Sequence, residues 1–384
     1  MTEYAHITVT LDEPVAAGRN SPSHFRQEVH NHVPGSVLRG ALAAERLRHH
    51  GNAINTTPEF LEIFEGEGSF GPLHCLASLP IPLSVRVHKY APQDNCQQLW
   101  WDEALGESAS NCPKCQSPLE RSKGQPRGSV HTTTRTMTAL STDGVALDGS
   151  LFSQRALSTG LRLQGWLCGA AVRSLHLDGS PITELLLGSR RSLRGRATVE
   201  FDTEAVPEPV ENEGNDVVLR LASPGVFVDD YGLPSAKPSS AELSEVLGVQ
   251  VLDIREWVRW EEAGGWHAVS GLPKPVEQTV AAGSTYRVRC AEKPSDEALR
   301  HLMARGVGLR RREGYGGLYA PTSPLGFAAF TGKVAPLRLY RDWIPALQER
   351  LEGLRKDYVD DGKIHNELKK STYRNITPKR SGRC

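Results

Sequence analysis

Apolar positions recur along this chain with two different periods, and the changes of period mark its elements. His6-Ile7-Thr8-Val9-Thr10-Leu11 alternates and is rich in β-branched residues, which predicts an opening strand. After a polar loop, Pro34-Gly35-Ser36 leads into a run with helical spacing. Leu38, Leu42 and Leu47 share one face there, Arg39, Arg46 and Arg48 point away, and Ser36 is placed as the N-cap. Leu151 to Arg173 reads as strand, turn at Gly160 and strand, and Ile182 to Leu187 as a short helix ending at Gly188. Ala197–Phe201, Val217–Leu221 and Tyr286–Cys290 read as strands, while Ser240–Leu247 and Ser295–Arg305 are helical candidates.

Each half of the chain closes alike in this reading: a helix, a loop rich in Gly and Arg, then a strand. That coarse internal repeat predicts two related domains, and its strand–helix–strand order with a hairpin fits a βαββαβ unit. The fold class is therefore α+β: two ferredoxin-like (RRM-type) domains with a Cys-containing insertion and a helical C-terminal tail. We place the first domain at 1–205, with the insertion at about 89–134. The second spans 206–335, after an acidic linker near 203–215, and a helical, basic tail spans 336–384. That tail thins in apolar residues after Tyr358, so it is expected to be poorly ordered when free.

Composition changes this picture in three ways. No run approaches the roughly 18 apolar residues of a membrane span, and the start of the chain lacks a basic-then-apolar leader, so a cytoplasmic protein without membrane contact is expected. Seven cysteines, an odd number, do not suggest a disulfide framework. The formal net charge is zero, which argues against a generally basic nucleic-acid binder. Yet the basic residues cluster: Arg190, Arg191, Arg194 and Arg196 in one loop, and Arg310, Arg311 and Arg312 in the other.

Those loops carry the first candidate chemistry. Glycines let backbone approach a phosphodiester, consecutive N–H groups form an anion-binding nest, and arginines add bidentate phosphate contacts. Tyr315 supplies a ring on which a base can stack. The plainer reading, a Gly-rich turn with solvated arginines, is weakened because the loop occurs twice. The helix start at Ser36, with Arg39 nearby, is a second phosphate site by virtue of its N–H groups, although an ordinary capped helix looks the same.

Cys112-Pro113-Lys114-Cys115 is half of a zinc knuckle. The other ligands are open among Cys96, His88, Cys75, His74 and His131, and Cys96 and His88 complete the set we adopt for a structural Zn²⁺. No strand-to-helix pattern surrounds the pair as a thioredoxin-type redox motif requires. His24 and His30 are the candidate acid–base groups if the chain cuts RNA, with Lys89 or Tyr90 as stabilisers.

Taken together, Val33-Pro34-Gly35-Ser36-Val37-Leu38-Arg39-Gly40, the Leu151-Phe152 to Gly165 segment, and the loops Gly188–Arg196 and Gly308–Gly317 resemble the RAMP superfamily of CRISPR proteins. Their order covers most of residues 1–335. The long chain and the Cys-containing insertion look most like the Cas-five-like RAMP subunit of subtype III-D. That resemblance implies a non-catalytic subunit of a type III effector, holding the 5′ handle of CRISPR RNA. Its implied partners are other RAMP subunits and the large subunit, with target RNA nearby. It implies RNA contacts at Ser36, Arg39, Arg190, Arg191, Arg194, Arg310, Arg311, Arg312 and Tyr315. In the family's backbone subunits an Asp in the loop after the first strand cuts target RNA; here that loop holds only Asp12, beside the strand, so no target cleavage is expected. The alternative is a CRISPR-RNA processing endoribonuclease of the related two-domain type.

Overall fold

The opening alternation builds the first sheet. In the computed structural model, strand β1 (Tyr4–Leu11) turns Ala5, Ile7, Val9 and Leu11 into a core. The structure describes residues 4–18, 26–90, 96, 100–106, 109–147, 149–188, 194–267 and 272–320. All belong to one unit, Met1–Phe330. The expected basic tail lies outside the described residues.

Strand β1 sits mid-sheet between β13 (Arg196–Asp202) and β9 (Arg162–Cys168), with β12 (Glu184–Leu186) and β3 (Ser69–Phe70) at the edges. All these pairings are antiparallel. Helices α1 (Gly35–His50) and α2 (Pro58–Glu65) connect β1 to β3 and cover the apolar face with Leu38, Leu42, Ile63 and Phe64. Thr57 caps α2 by accepting the Phe60 N–H at 3.3 Å, and Pro58 occupies the first turn, where no N–H is needed. A 3₁₀ segment, Gly169–Leu175, follows β9, and a small hairpin of β10 (His176–Leu177) and β11 (Ser180–Pro181) follows it.

A second sheet repeats the order. Strand β15 (Asp216–Arg220) lies between β14 (Asn212–Glu213) and β19 (Thr285–Cys290), with β16 (Val251–Trp257) beyond β19. Helix α3 (Ser240–Leu247) joins β15 to β16, and α4 (Asp296–Arg305) follows β19. After α4 the chain returns to β15 through a bridge between Leu318 and Leu221. Both helices have serine caps, Ser239 and Ser295, and α3 stops at Gly248 in the left-handed region. They bury Leu243, Leu247, Leu299 and Leu302 against Leu219, Ile254, Tyr286 and Val288. A long hairpin, β17 (Trp260–His267) and β18 (Leu272–Val280), rises between β16 and β19.

Two smaller sheets complete the described chain. One orders β2 (Arg26–Gln27), β8 (Phe152–Leu157) and β7 (Thr132–Met137); the other orders β5 (Trp100–Asp102), β4 (Val85–His88) and β6 (Leu119–Arg121). The architecture is mixed α/β with strands predominant. No helix among the described residues is long and apolar enough to cross a membrane.

Three local readings need correction. Ile182–Leu187 is not a helix: Glu184–Leu186 is strand β12, paired with β13 and burying Leu185. An apolar run this short fits either period, and the open edge of β13 decides it. Ser36 is not the N-cap: α1 starts one residue earlier, Pro34 is the cap, and no side chain caps it. The sheet that carries the Cys pair begins at Val85, before the expected insertion, and Thr132–Thr134 belong to β7.

The segment around this small sheet packs on the second sheet. Leu83 and Ala104 pack on Val218 and Trp257 of the second sheet. The Leu83 N–H donates to the Gly283 carbonyl at 2.8 Å. Asp102, at the end of β5, reaches Arg220 of β15 at 2.9 Å with both side chains nearly sealed from water.

Candidate functional site

The two Gly/Arg loops begin and end alike among the described residues. Each is entered by a glycine at φ 77°, Gly188 and Gly308. A side chain on either would strike a backbone carbonyl in the segment after β1 or β15, that of Ala16 or Val226. Each loop is closed by one backbone hydrogen bond, Leu187 N–H to Gly195 O at 2.7 Å and Val307 N–H to Gly316 O at 2.9 Å. The closing glycines, Gly195 and Gly316, also have positive φ and abut that same Leu187 or Val307 carbonyl. Only glycine tolerates both demands at once. The helix expected before the first loop is replaced by the 3₁₀ segment and β12, whereas α4 precedes the second.

The second loop meets the start of α1. A Cβ on Gly35 would overlap the Phe70 carbonyl and stand 2.6 Å from the Gly314 Cα, and Gly314 has φ 86°. The Pro-Gly-Ser turn and the second Gly/Arg loop therefore form one backbone-to-backbone junction. Here these two glycines admit protein backbone to protein backbone. At the α1 start Ser36 is exposed and the first turn carries no acidic residue, so its N–H dipoles are not opposed by a carboxylate.

The arginines are placed differently from solvated loop residues. Arg310, in the left-handed region, pairs with Glu313 at 2.8 Å and Glu277 at 2.5 Å, and lies 4.6 Å over the Tyr315 ring. Burial raises the Glu313 carboxyl, but hydrogen bonds from Arg310 and Lys274 outweigh it and hold the group down to about 2. Arg311 pairs with Glu242 and Glu67, each at 3.2 Å, and Arg312 donates to the Glu65 carbonyl. Arg39 pairs with Glu65 and donates to the Phe64 carbonyl at 2.7 Å. Arg194 is buried and bonded to Gln154. Arg190, Arg191 and His24 lie outside the described residues. Sequence reasoning could not foresee these acidic partners, since Glu65, Glu242 and Glu277 come from three distant elements.

The metal candidates do come together. The nitrogen of His88 and the sulfurs of Cys96, Cys112 and Cys115 all lie within 4.8 Å of one another. Cys112 begins a tight turn: its N–H donates to the Ser117 carbonyl and its carbonyl accepts from Gln116, both at 2.9 Å. Three sulfurs and one imidazole nitrogen form a zinc donor set, and tetrahedral Zn–S bonds of about 2.3 Å set ligand atoms about 3.7 Å apart. Cys96 Sγ to Cys112 Sγ is 3.8 Å and His88 Nε2 to Cys115 Sγ is 3.2 Å. Ser117, foremost, with His88 and Cys112, holds the Cys115 thiol down to about 6, so it is readied as a thiolate. Of the other candidates, His74 is engaged elsewhere: it stacks on His32 at 4.3 Å and bonds Ser78 at 2.9 Å, and burial holds it down to about 3. His30 adds a third ring, 5.2 Å from His32.

Comparison with known proteins follows the second half of the chain. No curated protein sequence matches. Among solved structures, a Type III-B Cmr-beta complex bound to cognate target RNA and AMPPnP contains a chain 10% identical. That match covers 73% of this chain and 86% of that one, with a TM-score of 0.41. A CRISPR associated protein Cas6 is 8% identical over 83% and 98%, with a TM-score of 0.34. A Cas6-related protein from Pyrococcus furiosus is 9% identical over 83% and 99%, also at 0.34. Likeness this distant carries no argument about function. Residues 149–321, which include both Gly/Arg loops but neither the α1 start nor the Cys/His cluster, match the family model described as CRISPR-associated protein (Cas_Cmr3). That match, over less than half of the chain, agrees with the resemblance to RAMP proteins of type III CRISPR effectors.

Proposed function

We propose that this chain is a non-catalytic, RNA-binding subunit of its effector, made of two ferredoxin-like domains, and that it holds the 5′ handle of CRISPR RNA. The observation that carries this reading is the twinned loop, one copy of which is locked by backbone against the open N-terminus of α1. A rigid junction of glycine backbone, helix N–H dipoles and an exposed Ser36 suits a phosphate that must be held in one register. Arg310 and Arg311 then act mainly as braces for that loop, and Arg312 and Arg39, tied to one carboxylate between them, stand at its rim. The sheet orders support the ferredoxin-like assignment. In each, the strand after the first helix is outermost, the next returns beside the first strand, and the last closes on the far side.

Zn²⁺ in the His88, Cys96, Cys112, Cys115 site serves structure in this reading. It ties β4 to the Cys112 turn and so fixes the insertion that docks on the second sheet. The position of that insertion outside the matched region agrees with the III-D likeness. Other RAMP subunits, the large subunit and, nearby, target RNA are the partners, in the cytoplasm.

The test is co-purification from the native host, with sequencing of bound RNA and mass spectrometry of bound proteins. Short RNAs with one constant 5′ end, together with other RAMP subunits, are expected. A chain that comes down alone, without RNA, overturns the reading. Metal-independent cutting of repeat RNA that disappears in His24→Ala or His30→Ala gives the chain to the processing endoribonucleases instead.

A further inference from the structure

The helices of the second sheet cover one face; the other face carries an arrangement with an evident electrostatic cost. By register, Arg220, Thr285 and Trp257 form one row across β15, β19 and β16. The next row is Val218, Arg287 and Arg255, and the row beyond is Asp216, Arg289 and Asp253. The docked insertion covers the first row through Asp102 and Glu103, leaving the arginine rows at its margin.

Arg255 and Arg287 are direct cross-strand partners. In the insertion sheet Arg86 and Arg121 are direct partners too. Like charges opposite one another destabilise a sheet, and here two such pairs meet at one seam. Glu103, fully buried, accepts from Arg86 at 2.6 Å, from Arg121 at 3.1 Å and from the Trp257 indole at 2.9 Å. Arg255 lies 4.8 Å over that same Trp257 ring, is exposed, and makes no ion pair among the described residues. Asp216 serves both Arg287, at 2.6 Å, and Arg289, at 3.3 Å. Four guanidinium groups thus share two carboxylates and Arg255 pairs with neither, with exposed Asp253 opposite Arg289 as the only other acid in these rows.

We propose that this seam is a second RNA-binding surface, on which Arg255, Arg289 and Arg121 hold consecutive phosphates of a single strand. Neighbouring strands stand about 4.8 Å apart and alternate residues about 6.6 Å apart, so the exposed guanidinium groups form a grid able to follow a row of monoanions. Arginine on a sheet is pre-organised for bidentate phosphate contact, and buried Glu103 and half-buried Asp216 fix the two inner members, Arg86 and Arg287, in place. The inference rests on the RNA-binding reading above but concerns a different surface from the α1 junction.

The test uses the full-length chain and a fluorescein-labelled, 30-nucleotide single-stranded RNA carrying the host repeat sequence at its 5′ end, with anisotropy read across a salt series. Arg255→Gln/Arg289→Gln is expected to keep the wild-type melting temperature, weaken binding on the order of tenfold, and lower the log–log salt slope by about 1.4, at roughly 0.7 per lost single-strand phosphate contact. Arg255→Lys/Arg289→Lys retains most of the slope. If the Gln pair binds like wild type while Ser36→Glu at the α1 start weakens binding, the RNA-subunit reading stands and this surface is wrong. If the Gln pair keeps RNA but loses a co-purifying effector subunit, the seam belongs to an acidic protein partner and the proposal falls. A wild-type chain with no affinity for the RNA removes both readings together.

Discussion

Replacing Arg220 by Met tests whether the β4–β6 sheet and the second core form one cooperative structure. Arg220 is 1% exposed and pairs with Asp102, whose side chain is 3% exposed, and with the more open Glu211. Coulombic attraction from Asp102 and Glu211 outweighs the desolvation of this guanidinium, so its pKa is raised. Met keeps much of the volume but strands the Asp102 carboxylate, which retains only the Ala104 N–H at 3.0 Å within its own turn. Breaking a buried pair from one side costs about 3–5 kcal/mol, whereas neutralising both members costs far less. Glu211 is solvated enough to lose its partner cheaply. Urea unfolding followed by tryptophan fluorescence, with Trp257 in the seam as a reporter, should show Arg220→Met losing about 3–5 kcal/mol. Adding Asp102→Asn should recover roughly half of that loss. A single-variant loss below about 1 kcal/mol, or single losses that simply add in the double variant, would refute the claim that this is a sealed, coupled pair.

Glycine predictions divide by environment. Gly35→Ala should unfold or strongly destabilise the chain, since its Cβ has no room beside Phe70 and Gly314, whereas exposed Gly40, with no atom within 4 Å of an added Cβ, should gain about 0.5–1 kcal/mol as Ala within α1; thermal melting separates the two. Metal analysis of the purified protein should find about one zinc per chain, with Cys112→Ser or chelation removing it and lowering the melting temperature. The Glu313 carboxyl, depressed to about 2, contributes stability that is complete above its ordinary value near 4.5 and lost as pH falls from there through 2. Wild type and Glu313→Gln should therefore converge in denaturant stability over that window, and a constant gap between them would count against the Arg310 and Lys274 brace.

How much of this was legible in the sequence depended on the range of the interaction concerned. Strands β1, β13 and β19 announced themselves by alternation, and β15 by a short, nearly continuous apolar run buried on both faces. Helices α3 and α4 carried serine caps in front of an apolar stripe. Cys112 and Cys115 were visible as a pair, and His88 and Cys96 lay close enough in sequence to be chosen with them. Strand β12 was misread because three residues cannot display a period, and the partner that makes them a strand lies ten residues on. The arginine partners were not legible at all. Arg311 to Glu67 spans 244 residues, and nothing local distinguishes an arginine that will meet a carboxylate from one that will meet a phosphate. Buried Glu103 and Arg220 were likewise unreadable, since charged side chains in a chain of alternating polar positions look solvated until the fold covers them.

The contact between Gly35 and Gly314 also sets a schedule. Residue 35 leaves the ribosome early, yet the backbone it must meet is 279 residues downstream. At about 5–20 residues per second, that gap is roughly 15–60 s of synthesis. Through that time α1 and the first sheet can assemble, but the Pro34–Gly35 shelf faces open solution, where any other flexible chain can reach it. A newborn chain of this kind completes this junction only after the second sheet has been made.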